Sequence, residues 1–350
     1  MRILLSSVCD AETGSGGLQA RRGRQPEGCP TRGWALQLLC PLLILAGTAG
    51  CSPATPRKEL TLQGHQFGVD AVAFSPDGRV LASAGIEGVR LWNVATGKER
   101  ALLKGHTDAV WAVAFSPDGR TMASGSRDGT VKLWGVVAGE ARNTLRGHAG
   151  WVRSVAFTPD GRALVSAGTD DTVRLWNLAD GQTRATFREH ESPLWTMALA
   201  PDGKLLATGS AGGAVGIWDV ATGTKLASYP CGGIGVAAVA FSPDNRSLAA
   251  ASMDGTVKLW DVPGGRELLT FRGHAGNAMA VAFSPDGRIL ATGGSDGVVK
   301  LWDSGTGEEQ DTLAGHAGAI TALAFAPGGR ALASGSWDKT VRLWDLSSDK

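Results

Sequence analysis

Short apolar runs broken by polar turn sequences fill the chain from residue 58 onward. The stretch from Gly105 to Trp134, GHTDAVWAVAFSPDGRTMASGSRDGTVKLW, holds three such runs, and a fourth, ERALLK from Glu99 to Lys104, precedes its Gly-His pair. Runs of this length bounded by Ser, Pro, Asp and Gly predict strands joined by tight turns, four to a unit. The unit repeats: Trp92, Trp134, Trp176, Trp218, Trp260, Trp302 and Trp344 fall at a constant interval of 42 residues. His106, His148, His190, His274 and His316 keep step with them, and His65 opens the series. The first repeat is one residue short around Ile86 and Glu87.

Antiparallel four-stranded units of about 40 residues marked by Gly-His and Trp-Asp pairs resemble the WD-repeat family. Gly-His stands at five sites and Trp-Asp at four, while three repeats end in Trp92-Asn93, Trp134-Gly135 and Trp176-Asn177. The resemblance implies an all-β fold, a seven-bladed β-propeller over residues 58–350 with repeats ending near 93, 135, 177, 219, 261, 303 and 345. After Trp344-Asp345-Leu346 the seventh blade lacks an outermost strand. Residues Lys58 to Leu62 carry the right pattern to supply it, which predicts a ring closed by pairing the N-terminal strand with the last blade.

Four polar residues recur together: His106, Ser124, Asp128 and Trp134; His148, Ser166, Asp170 and Trp176; His274, Thr292, Asp296 and Trp302; His316, Ser334, Asp338 and Trp344. In the family such sets look like buried chains in which Asp accepts from His, His bonds the hydroxyl, and the hydroxyl accepts the indole N–H. Several copies tied to a repeating Trp argue for scaffold and against a hydrolytic triad. Departures cluster in two repeats. Gly212 replaces the Asp of blade four, and blade five has Cys231-Gly232 for Gly-His and Ala250 for the hydroxyl, so these two blades are expected to be the softest. No partner for Cys231 as a nucleophile is recognisable. The Asp residues of the Pro-Asp turns (Asp77, Asp118, Asp160, Asp202, Asp244, Asp286) read as turn chemistry on the opposite face.

Seven internal copies separate packing positions from free ones. Val72, Val113, Val155, Met197, Val239, Val281 and Leu323 occupy one site and are all apolar, as a core site would be. Two residues earlier the set is Asp70, Trp111, Arg153, Trp195, Ala237, Met279 and Thr321, too mixed for one packing role and expected to be exposed. Trp111, Trp151, Trp195 and Trp337 are surplus to the repeat and are expected at the face where the Gly-His loops gather, near Arg127 and Arg153. The alternative is that some of these rings fill the central channel or cover a blade edge. Trp and Arg dominate protein hot spots, so the candidate partner-binding residues are Trp111, Trp151, Arg153, Trp195, Arg127, Trp337, Met279 and Asp70.

Composition adds two constraints. Gly makes up 50 of 350 residues, about twice the usual share, as a turn-rich chain requires. After residue 51 the chain holds 29 basic and 30 acidic side chains, so the broad positive field used against phosphate backbones is missing and nucleic acid is disfavoured.

The first 50 residues read as a leader. Arg2, Arg21, Arg22, Arg24 and Arg32 precede an apolar region spanning about 34–46, which is shorter than the roughly 20 residues of a spanning helix. Gly47, Thr48, Ala49 and Gly50 lead into Cys51, and the segment resembles the lipobox of bacterial lipoproteins, with Thr48 where that motif usually has Leu. The resemblance implies a lipidated Cys51, a short linker over 51–57, and a bacterial membrane-anchored lipoprotein on the periplasmic or cell-surface side. An ordinary signal peptide, an uncleaved helix, or a cytoplasmic protein with a non-functional leader are the alternatives. The expected function is a monomeric, non-enzymatic, cofactor-free platform for a protein or peptide. The competing reading is a small-ligand or enzymatic propeller working at the mouth of its central channel.

Overall fold

The computed structural model describes residues 59–188 and 192–347. The leader over 1–50, Cys51 with the linker to residue 57, and His190 lie outside the described residues. Among the described residues 28 strands form seven four-stranded antiparallel sheets. Blade one is β2 (Val69–Phe74), β3 (Val80–Gly85), β4 (Gly88–Asn93) and β5 (Glu99–Leu103), counted outward from the channel. The next five blades repeat this order and begin at β6 (Val110–Phe115), β10 (Val152–Phe157), β14 (Leu194–Leu199), β18 (Val236–Phe241) and β22 (Ala278–Phe283).

The seventh sheet is built from both ends of the described chain. Strands β26 (Ile320–Phe325), β27 (Ala331–Ser336) and β28 (Thr340–Asp345) are completed by β1 (Glu59–Gln63), with Glu59 opposite Trp344 and Gln63 opposite Thr340. Leu62 is 1% exposed in this position, so closure buries apolar surface as well as satisfying the outer ladder of β28.

The core is distributed around the ring. Seven apolar clusters occur among the described residues, and each lies between two neighbouring blades. Trp134 of blade two packs with Val80, Val89 and Leu103 of blade one, and Trp92 of blade one packs with Val341 and Leu343 of blade seven. The 42-residue Trp period is therefore the period of inter-blade seals, all 5% exposed or less.

That seal explains the glycine of the Gly-His pair. A Cβ on Gly147 would stand 3.0 Å from Cη2 of Trp176, and one on Gly273 2.8 Å from Cη2 of Trp302, so the indole tip leaves no room for a side chain. On the opposite face the Pro-Asp turns are tied internally. Ser116 Oγ donates to Asp118 Oδ1 at 2.6 Å, and the Arg120 N–H donates to the same oxygen at 3.0 Å.

Candidate channel-mouth site

Each innermost strand carries the same irregularity. The ladder between the first and second strands shifts register between Val69 and Ala71, Val110 and Ala112, Val152 and Ser154, Leu194 and Thr196, Val236 and Ala238, Ala278 and Ala280, and Ile320 and Ala322. The residue skipped in each blade is Asp70, Trp111, Arg153, Trp195, Ala237, Met279 or Thr321. A β-bulge leaves its extra residue outside the ladder and re-aims its side chain. All seven bulge residues line one central cavity of about 590 Å³. The expectation of an exposed site is corrected accordingly: these positions are half-buried along the channel wall, because a bulge on an innermost strand faces the axis.

The surplus indoles divide between wall and rim. Trp111 and Trp195 are half-buried channel walls rather than projections of the face, while Trp151 and Trp337 are 41% and 56% exposed. Each Trp crosses a blade boundary. A Cβ on Gly235 of blade five would fall 2.5 Å from Cζ3 of Trp195 of blade four, and one on Gly68 would fall 2.8 Å from Cδ1 of Trp337 of blade seven. The absence of a side chain at these two glycines leaves room for each indole against the neighbouring loop.

Blades two and three share an interleaved stack. The Arg153 guanidinium lies 4.0 Å above the Trp111 ring, Trp111 meets Trp151 edge to face at 5.0 Å, and Arg127 covers Trp151 at 4.5 Å. Blade three and blade two alternate along this series. Arg127 also faces Asp108 at 3.6 Å, a half-exposed pair of small energetic weight. Cation–π contacts of this kind contribute roughly 0.5–2 kcal/mol each, more where water is excluded.

Two opposite charges share the channel. Burial pushes the Asp70 carboxyl up to about 6, against the pull of the Trp337 indole N–H and the Arg153 guanidinium. Burial likewise lowers Arg153, with Asp70 partly offsetting it. Met279 and Met253 line the opposite wall beside Ala237.

The repeated polar sets sit around this mouth. In blade two His106 Nδ1 is 2.8 Å from Asp128, Nε2 is 2.7 Å from Ser124 Oγ, and Trp134 donates to the same Oγ at 2.7 Å. The same chain runs through His148, Ser166, Asp170 and Trp176, through His274, Thr292, Asp296 and Trp302, and through His316, Ser334, Asp338 and Trp344. A carboxylate only accepts and an indole only donates, so Nδ1–H gives to Asp and the hydroxyl gives to Nε2. Burial holds His65, His106, His274 and His316 below their ordinary 6.5, which fits the neutral ring that this direction requires. Burial alone would raise Asp128 and Asp338, but donors from Thr130 and His106, and from Thr340 and His316, bring each to about 2.

Blade one contains a fifth chain that motif reading missed. Glu87 takes the Asp place, 2.9 Å from His65 Nδ1, while His65 Nε2 and the Trp92 indole both reach Ser83 Oγ. The signal was present: Glu87 follows His65 by 22 residues, the same spacing as Asp128 from His106. Also missed were the hydroxyls two residues after Asp, such as Thr130, which donates to Asp128 at 2.6 Å.

Blades four and five depart as their sequences do. Trp218 still donates to Thr208 at 2.9 Å, and the Gly212 N–H donates to Ser192 Oγ at 3.1 Å. In blade five the Cys231 thiol is fully buried, 3.8 Å from the Ala250 carbonyl, and burial pushes it up to about 12. A thiol held protonated in this way is a packing group rather than a nucleophile.

A search of the curated proteins found no match to the chain. The IFT122 first beta-propeller family matches over residues 68–229 and again over 151–350, two alignments that share 79 residues because equivalent repeats can be laid on one another in more than one phase. Together they span every blade, and the chain belongs to the IFT122 first beta-propeller family, a propeller of the WD-repeat type.

Proposed function

We propose that this propeller is a non-enzymatic platform that holds a partner protein or peptide at its channel mouth, through Trp151, Trp337 and Arg127 on the rim and Trp111, Trp195 and Arg153 within. The observation that carries this reading is the stack of two indoles and two guanidinium groups across blades two and three, with Trp151 41% exposed. Aromatic rings and arginines held rigid before binding lose little conformational freedom on contact, which is why such groups dominate interface energetics. A propeller scaffold of this family type is consistent with protein partners.

Affinity capture tests the assignment. The wild type is expected to recover a partner that a folded Trp111→Ala/Trp151→Ala/Trp195→Ala variant does not; undiminished recovery by that variant rejects this face. The proposal includes a tether at a bacterial membrane through lipidated Cys51. Several acyl chains at about 0.8 kcal/mol per buried methylene would anchor it stably, and the linker from Ser52 to Arg57 would reach only about 20 Å. Mass spectrometry of the mature N-terminus is expected to show acyl mass on Cys51, and a mature chain starting elsewhere removes the tether.

A further inference from the structure

Among the described residues the channel lining holds one guanidinium, Arg153, and its N–H donors meet no acceptor. The Arg153 guanidinium lies over the Trp111 ring at 4.0 Å, senses Asp70 only at longer range, and has no hydrogen bond or ion pair among the described residues. Stacking covers a face of a guanidinium and leaves its in-plane N–H groups free, the groups that grip a carboxylate in bidentate fashion. The other cations around this mouth differ. Arg127 lies on the rim over Trp151 and already faces Asp108. Asp70, the one acid among the described residues of the channel lining, forms no ion pair with Arg153 and is itself raised by burial.

The geometry points to an acidic side chain as the group this channel takes: a loop or chain end of the partner inserts an Asp or Glu between Trp111 and Trp195, where its carboxylate pairs with Arg153. Size selects the form of the occupant. About 590 Å³ is the scale of a small-ligand pocket, so a few residues enter and a folded domain stays on the rim. The walls select what flanks the acid. Trp195 beside Arg153 and Met279 across the channel offer apolar faces, which suits an apolar neighbour, while Asp70 disfavours a second negative charge and accepts from a backbone N–H. This inference rests on the channel-mouth reading above and names the chemistry of its partner.

The test uses the folded propeller with a capped hexapeptide library, both ends blocked so that every carboxylate belongs to a side chain. Wild type is expected to enrich Asp or Glu at one position beside an apolar residue. Arg153→Gln is expected to bind the enriched peptide about 10- to 100-fold more weakly, as loss of a charge-assisted pair implies. Arg153→Glu is expected to shift the enriched residue to Lys or Arg, an outcome that loss of folding could not produce. Arg127→Gln is expected to keep the acidic preference. Enrichment without an acid, or an acid preference that survives Arg153→Gln, overturns the inference. If Trp151→Ala abolishes such acid-free binding, the channel-mouth platform stands while its proposed chemistry falls. If no peptide is enriched on any variant, the inference is overturned, and affinity capture with the triple Trp variant still decides the platform by itself.

Discussion

Blades three and five have the same four strands and the same sealing Trp, yet they solve the interior of the blade differently. Blade three threads a polar chain from Asp170 through His148 and Ser166 to the Trp176 indole. Blade five has Gly232 at the His position, Ala250 at the hydroxyl and a buried Cys231 thiol, and Tyr229 from the outer strand of blade four stacks on its Trp260 with ring centroids 5.7 Å apart. The Tyr229 hydroxyl finds its own acceptor in the Val262 carbonyl at 3.1 Å. Asp254 survives as a turn residue, accepting from the Thr256 hydroxyl at 2.6 Å. The difference teaches that the chain of hydrogen bonds is one way to fill a blade and is replaceable as a set. Its members are not replaceable singly, because each loss leaves buried partners without a bond.

The sharpest way to break the comparison is to exchange one atom between the blades. Ser166→Ala leaves both His148 Nε2 and the Trp176 N–H without their shared oxygen and is expected to cost about 2–4 kcal/mol, read as a lowered urea midpoint at unchanged slope. Ala250→Ser puts the same oxygen where no His awaits it and is expected to cost less than about 1.5 kcal/mol. Equal losses in the two blades would mean that the polar chain carries no special cooperativity.

A smaller effect follows from protons. Four of the network histidines are held below 6.5, so beneath that pH the unfolded chain takes up protons that the fold refuses, and stability is expected to fall as pH drops from 6.5. A second loss is expected between 3.8 and about 2, where Asp128 and Asp338 stay ionised in the fold while their unfolded counterparts are protonated. Giving blade two the residues of blade five, with His106→Gly and Ser124→Ala together, is expected to flatten the first slope without removing the second. Urea midpoints measured across pH 7 to 5 check this, on the order of a few tenths of a kcal/mol per pH unit for one His.

The smallest expected change sharpens the distinction between holding the fold and presenting a surface. Arg127→Gln removes a half-exposed cation from Trp151 and Asp108 and is expected to shift stability by under about 1 kcal/mol in the same assay. A loss as large as that of Ser166→Ala would make the rim stack part of the framework.

Much of this was legible in the sequence because seven copies act as controls for one another. The Trp interval gave the blade count, and the unpaired run from Lys58 to Leu62 gave the closing strand. The mixed set from Asp70 to Thr321 stood out against the uniform set two residues later. What the sequence could not carry was direction. A bulge is a feature of pairing between strands, so nothing in Arg153 or its neighbours states that the side chain turns to the axis. Glu87 was hidden by a one-residue deletion that shifted the turn while keeping the 22-residue distance to His65. The alternation of blades two and three in the indole stack depends on residues 24 to 42 apart meeting across a blade boundary. The Tyr229 and Trp260 stack likewise joins the outer strand of blade four to the sealing Trp of blade five.

The recurring bulge also bears on how such a molecule acquires a new specificity. A residue outside the ladder owes nothing to its strand's hydrogen bonding, and the apolar residue two positions on, such as Val155 opposite Ser166, pairs in the ladder beside it. Asp, Trp, Arg, Ala, Met and Thr already occupy this place in one chain. The aperture thus behaves as a lock with seven pins, some of which touch, as Arg153 and Trp111 do, and each of which is open to recutting while the barrel around it stays the same.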